Sequence, residues 1–511
     1  MNSLIKLPEP ELVFRHEQTL DDPRDGITLF GPLEDNAPFG IHYGLIGTES
    51  GIERYYRWVD RINKPIMHDE VSSRILWVPF PGFEAAFKIP FAKTAAANVY
   101  IDANELTKIL KIGDAYQRVY KAVELYAESI LDFYKTAEEN ISIWFIISPE
   151  SLYQECRPKS RGIDVVDRIQ PKTIKLRKKI AAQHRRGQQI LFNEQESDYY
   201  AYEFDNDFRR QLKARLILNG VQDPIQIIRE STLAPGDFVD NNGKLQRELE
   251  PLSQVTWNLL STTFYKAGGK PWKLSGIRKG VCYLGLVFKR MDYEKDERTA
   301  CCAAQMFLDT GDGVVFKGAV GPWKVRGREE YHIDYNAAKE IIERAIEAYK
   351  TYFEKGDYPK EVFIHGRTYF NEDEWAGFST AKSKGINIIG VRITKGDLRL
   401  FRQGKYPILR GSAHIQNNTI GFLWTTGMIP KLRTSPYQGV PYPLRIEICK
   451  GMADITVVVN DILALTKLNY NSCKYSDGVP ITLKFADKIG DILTAAPIKK
   501  DQAPLPFKFY I

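Results

Sequence analysis

The sequence predicts an α/β protein of two domains, and three observations carry that reading. A chain of 511 residues exceeds what one hydrophobic core organises. Its first half alternates wholly apolar strands with segments of helical periodicity. Its second half opens on a strand meander and then alternates helices with strands.

The elements follow in order. The first 140 residues or so mix short strands and loops, with Asp22-Pro23-Arg24-Asp25-Gly26 and Leu29-Phe30-Gly31-Pro32 reading as turn-rich. One helix is expected from Asp114 to Tyr134. Ile141–Ile147 is a strand of the fully buried kind, after which Ser148 serves as N-cap and Pro149 as first residue of a helix running through Tyr153. A basic linker and a polar stretch at about 187–206 lead to a helix over Phe208–Leu218, then a strand at Ile225–Ile228. This alternation makes a Rossmann-like layer. In Ser253–Leu274, Ser253 is a plausible N-cap behind Pro251, and Val255, Leu259, Leu260 and Phe264 recur at helical spacing. Gly268 and Gly269 stop that helix, leaving Lys266 in its last turn.

Beyond Trp272, Val281–Phe288 is a buried strand with a neighbour around Ala303–Phe307, and Asp309–Gly313 turns into Val314–Phe316. A helix at Asn336–Phe353, strands at Val362–His365, Ile388–Ile393 and Leu444–Ile448, and helices at Ala453–Thr466 and Phe485–Leu493 complete an RNase H-like order. The boundary falls between 1–272 and 273–511, and no internal repeat is found.

Composition narrows the function. Hydrophobic residues at 43% and charged ones at 26% describe a soluble chain, and no apolar run reaches the ~18–20 residues of a bilayer span. The N-terminus lacks a secretion signal. Six cysteines make no Cys-x-x-Cys pair, and Cys301-Cys302 lies in an apolar run, so reduced thiols and a cytoplasmic location are expected. The net charge is only +7, yet Arg157–Arg186 holds eleven Lys/Arg against Asp164 and Asp167. Such a run is a solvated face or a polyanion site, and its position after Tyr153 favours the polyanion.

Lys266-Ala267-Gly268-Gly269, with Pro271-Trp272 behind it, resembles the junction of MID and PIWI domains in Argonaute proteins. Tyr153 and Arg157, four apart, resemble the tyrosine and basic residue that MID domains aim at a guide's 5′ end. Gln226 occupies the place of the family's glutamine, with Gln211 and Lys213 as rivals, and Lys266 completes the set. The apolar tail Pro506–Ile511 is expected to pack inside. By resemblance, the Ile511 carboxylate would ligate a Mg²⁺ ion at the guide 5′-phosphate.

Two-metal cleavage needs carboxylates around a pair of ions. The resemblance puts Val287 and His365 at two of those positions, with Asp487 the remaining carboxylate. Asp292, Asp309 and Asp312 lie near in sequence, but turns commonly carry Asp. The expectation is a domain that holds a duplex without cutting it, the alternative an active nuclease using Asp487 with Asp292 or Asp309.

In wording such as Pro23–Gly26, Phe264–Gly269, Cys301–Met306 and Leu465–Asn471, the chain is most similar to short prokaryotic Argonautes that pair with a TIR–APAZ protein. That resemblance implies a guide-RNA-directed sensor of invading single-stranded DNA, whose partner hydrolyses NAD⁺. A sirtuin-like or nuclease APAZ effector, or an α/β module for a small phosphorylated ligand, are the other readings.

Overall fold

A computed structural model describes residues 3–35, 39–136, 139–158, 160, seven positions within 173–183, 199–221, 223–276, 278–290, 299–307, 313–315, 320–321, 332–352, 357–400, 408–435, 439–497 and 505–511. Most of the basic run 157–186 lies outside the described residues, as do Asp292, Asp309 and Asp312 and the side chains of Cys301 and Cys302.

The first domain is built on a parallel sheet of four strands, ordered Ala97–Tyr100, Tyr43–Gly47, Ile143–Ser148, Ile225–Arg229. Two-residue periodicity sorts its side chains between two cores. Leu45, Phe145 and Ile147 pack in one cluster with Tyr55 and Trp58 of the helix Glu49–Ile62. Ile46, Trp144 and Ile146 pack in another with the helices Ala115–Thr136 and Phe208–Leu218. The expected Rossmann-like layer is present.

Among the described residues, the second domain is built on a mixed sheet of 11 strands, one of them from the beginning of the chain. Val281–Arg290, Glu361–Gly366 and Asn387–Lys395 run parallel at its centre. Thr299–Phe307 and Leu444–Lys450 flank them antiparallel. The helix Ile481–Leu493 crosses the strand Val281–Arg290 so closely that a Cβ at Gly285 would lie 2.1 Å from the Thr482 main-chain oxygen.

Three local expectations change. The turn-rich stretch after Asp22 is a helix, Pro23–Phe30. Asp22 caps it by accepting from the Arg24 N–H at 3.0 Å, and Pro23 supplies the first helical φ, so the turn-forming residues start a helix. Gly26 within it makes room for the Phe14 ring. The helix after the third strand is Glu150–Glu155, with Pro149 as N-cap and Ser148 still in the strand. The long junction helix is Leu252–Lys266, with Pro251 at the N-cap position and no side-chain capping bond, and Ser253 is buried in its first turn.

The first residues of the chain join the second domain's sheet: Ser3–Lys6 pairs antiparallel with Ser412–Ile415. Leu12–Val13 pairs with Thr19–Leu20 and with Lys273–Leu274. Buried charge fastens this strap. Lys467 Nζ donates to Glu9 Oε1 at 2.9 Å and to the Asp21 carbonyl at 2.6 Å, and Arg410 Nε donates to Glu9 at 3.0 Å. Arg24 pairs with Asp22 at 2.8 Å and donates to Gln254 Oε1 of the junction helix at 2.9 Å.

Candidate nucleic-acid interface

Lys266 is 1% exposed. The junction helix is buried on nearly every side, through Trp257, Leu260, Thr263 and Phe264, and Gly268 at φ +101° ends it in a conformation other residues resist. Its last side chain therefore points into protein. Lys266 Nζ donates to the Ile225 carbonyl at 2.9 Å and to Gln226 Oε1 at 2.7 Å, both neutral acceptors.

Lys213, also buried, comes from the helix Phe208–Leu218. Its Nζ donates to the Ile511 main-chain oxygen and to the Tyr510 carbonyl. The tail that supplies these oxygens is buried, through Phe507, Tyr510 and Ile511. Desolvation, then Lys266, Arg209 and Lys488, hold the Lys213 ammonium far below its ordinary pKa. Lys266 is depressed in the same way, by burial first and then by Arg209 and Lys488. Desolvation by the surrounding protein, then Arg209 and Lys484, bring Lys488, which is itself exposed, down to about 8. Lys213 and Lys266 are thus the buried pair, and the exposed side chains of Arg209 and Lys488, the latter from the second domain, add to the positive potential they bear. A multiply charged anion relieves both the repulsion and the desolvation.

Tyr153 and Arg157 form a second cluster. The helix stops at Glu155, so Arg157 lies just beyond it, but the pair still meets: Arg157 Nη1 donates to Tyr153 Oη at 3.3 Å. The Arg229 guanidinium lies 3.6 Å from the Tyr153 ring centroid and is held by Glu150. The clusters adjoin through the main chain, because the Phe208 N–H, opening the helix that carries Arg209 and Lys213, donates to the Cys156 carbonyl at 3.0 Å. The N-terminus of that helix is already satisfied, by the Cys156 carbonyl and by the Asp207 cap, which accepts from the Arg210 N–H at 3.0 Å.

The structure therefore brings Lys213, Lys266, Gln226 and Ile511 together, and ties the segment of Tyr153 and Arg157 to the start of the helix that carries Lys213. Gln211 stands apart: it is fully buried, and its amide donates to the Asp205 carbonyl at 2.7 Å, fixing the loop before the helix. Arg209, Lys488 and Arg229 were missed. Arg209 and Lys213 are four apart on one helix, a spacing the sequence displays. Lys488 arrives from the far domain and carries no local signal.

At the second domain's candidate cleavage positions, Val287 is buried and His365 is 1% exposed. His365 pairs in register with Gly285, and its Nδ1 lies 3.0 Å from Thr482 Oγ1. Burial pushes its pKa to about 3, so the ring is neutral. Asp487 forms an ion pair with Arg367. Among the described residues, no group of three or more His, Cys, Asp and Glu is placed to hold a metal ion.

No family model matches the chain. The Argonaute protein of Aquifex aeolicus (strain VF5) is 24% identical over 262 residues, which are 49% of this chain and 33% of that protein. Clostridium butyricum Argonaute, solved with a guide DNA and a 19-mer target DNA, superposes on 100% of this chain and 55% of its own, with a TM-score of 0.62 at 16% identity. Drosophila Piwi matches 96% of this chain and 54% of its own, with a TM-score of 0.56 at 10% identity. Aquifex Argonaute with externally bound siRNA gives 0.54 at 14% identity, over 99% of this chain and 56% of its own. The chain spans about half the length of these solved proteins. Sheet order, element order and superposition agree: the chain has the Argonaute fold, a Rossmann-like MID domain followed by an RNase H-like PIWI domain.

Proposed function

We propose that this protein is a guide-directed sensor of single-stranded DNA. A 5′-phosphorylated guide RNA is anchored by Arg209, Lys213, Lys266 and Lys488, with Tyr153 and Arg157 at the entrance. The carrying observation is the buried pair Lys213 and Lys266 under the positive potential of Arg209 and Lys488, with Lys266 held only by neutral hydrogen-bond acceptors. A terminal phosphate supplies about two negative charges and several acceptor oxygens to such a site. The guide pairs with invading DNA along the second domain, and base pairing provides the sequence specificity.

In this reading the PIWI domain holds the duplex without cutting it. Val287 offers no ligand, neutral His365 is engaged by Thr482, and Asp487 is paired with Arg367. Target recognition is relayed to a TIR–APAZ partner, whose NAD⁺ hydrolysis acts on the infected cell.

A magnesium ion at the 5′-phosphate is a weaker fit. The Ile511 oxygen is held by the Lys213 ammonium and Gln226 Oε1 by that of Lys266, so the protein alone presents an anion site.

The test is recovery and sequencing of copurifying nucleic acid, followed by guide binding across a salt series. Short 5′-phosphorylated RNA is expected, with a log–log salt slope of about −0.7 per phosphate neutralised. Absence of nucleic acid together with salt-independent binding would overturn the reading. Product bands from a Mg²⁺-supplied target, lost in Asp487→Ala, would establish the nuclease alternative.

A further inference from the structure

Arg367 follows directly on the central strand Glu361–Gly366 and is 53% exposed beside the vestigial cleavage positions. Its neighbours make a continuous arginine–aromatic cluster. Arg392 Nε donates to the Arg367 carbonyl at 3.2 Å, and the Arg392 guanidinium lies 4.2 Å from the Tyr369 ring centroid. Glu447 ties the rest: Tyr369 Oη donates to it at 3.2 Å, Arg445 Nη2 at 3.2 Å, and Arg392 Nη1 stands 3.7 Å away. Three guanidiniums thus share two carboxylates, Asp487 and Glu447. They sit on adjacent strands, since Gly366 pairs with Arg392 and Arg392 with Glu447.

We propose that Arg367, Arg392 and Arg445 form a phosphodiester-binding site, gripping the target strand of a guide–target duplex at the place where a nuclease of this fold would hold its metal ions. Arg367 takes over the electrostatic task of a cation, neutralising the phosphate, but activates no water. A guanidinium matches two phosphate oxygens through parallel N–H donors. Tyr369 and Glu447 hold Arg392 and Arg445 in place, so less side-chain freedom is lost on binding. Asp487 orients Arg367 while opposing the bound phosphate. The site rests on the guide-directed reading above.

The test uses the full chain loaded with guide RNA and a scan of target DNAs, each carrying one uncharged methylphosphonate linkage. In the unmodified protein, one or two adjacent positions are expected to weaken target binding about tenfold. Arg367→Gln is expected to weaken the all-phosphate target by a similar factor and to become insensitive at those same positions. Asp487→Asn removes a like charge and is expected to tighten target binding about twofold. The inference fails if every methylphosphonate costs the same in Arg367→Gln as in the unmodified protein, or if Asp487→Asn weakens binding. Guide retention, measured separately, distinguishes the two levels: no retention sinks the guide reading and this site with it, whereas retention with additive losses sinks this site alone.

Discussion

Replacing Lys266 by Met separates a ligand-binding lysine from a structural one by the sign of two effects. The ammonium is buried and makes two hydrogen bonds to neutral acceptors. Losing them costs about 1 kcal/mol each. Against that stands the cost of keeping a proton on a desolvated amine beside Arg209 and Lys488, a cost its depressed pKa records. Lys266→Met is therefore expected to leave thermal stability unchanged or raised. Its effect on a 5′-phosphate is opposite: a hydrogen bond to a charged group is worth about 1.5–3 kcal/mol, or roughly 10- to 150-fold in affinity. Fluorescence anisotropy with matched 5′-phosphate and 5′-hydroxyl guides reads this as a collapse of the preference for phosphate, with little change for the hydroxyl guide. Equal weakening of both guides, together with a lower melting temperature, would refute the reasoning.

Three further outcomes follow from the same structure. Lys213 and Lys266 have depressed pKa values without ligand, and a bound phosphate raises them, so binding takes up protons. The 5′-phosphate preference should fall as pH rises toward the ordinary lysine pKa, and proton uptake in calorimetry should shrink in Lys266→Met. Arg24→Ala strands the buried Asp22 carboxylate and should cost about 3–5 kcal/mol in denaturant unfolding, whereas Arg24→Met with Asp22→Leu should cost less. Gly285→Ala drives a methyl group into the Thr482 main-chain oxygen and should destabilise the PIWI domain by about 3 kcal/mol or more, seen as a shifted urea midpoint.

Much of the fold was legible because its central elements are locally self-consistent. The helix Phe208–Leu218 and the strand Ile143–Ser148 announce themselves by apolar pattern and flanking residues. Pro23–Phe30 was hidden because Asp, Pro and Gly are turn formers and helix starters alike, and only packing on Phe14 decides between them. In the site, Lys266, Gln226 and Lys213 could be read from chain order. Lys488 could not, because a cation brought from another domain leaves no spacing. Gln211, a rival to Gln226 in the sequence, turns its amide N–H onto the Asp205 carbonyl, a direction that sequence does not show.

The edge position of Ser3–Lys6, paired with Ser412–Ile415, has a consequence for biosynthesis. Ribosomes add about 5–20 residues per second, so the opening strand waits roughly 20–80 s before its partner emerges. During that interval the backbone N–H and C=O groups of Ser3–Lys6 are unpaired and open to mispairing. The two domains cannot be completed strictly one after the other, since this opening strand pairs only once residues 412–415 have been made. Synthesis in the cell should therefore depend on holding factors that shield nascent β-structure, and tags fused ahead of Ser3 should depress soluble yield more than tags placed in exposed loops.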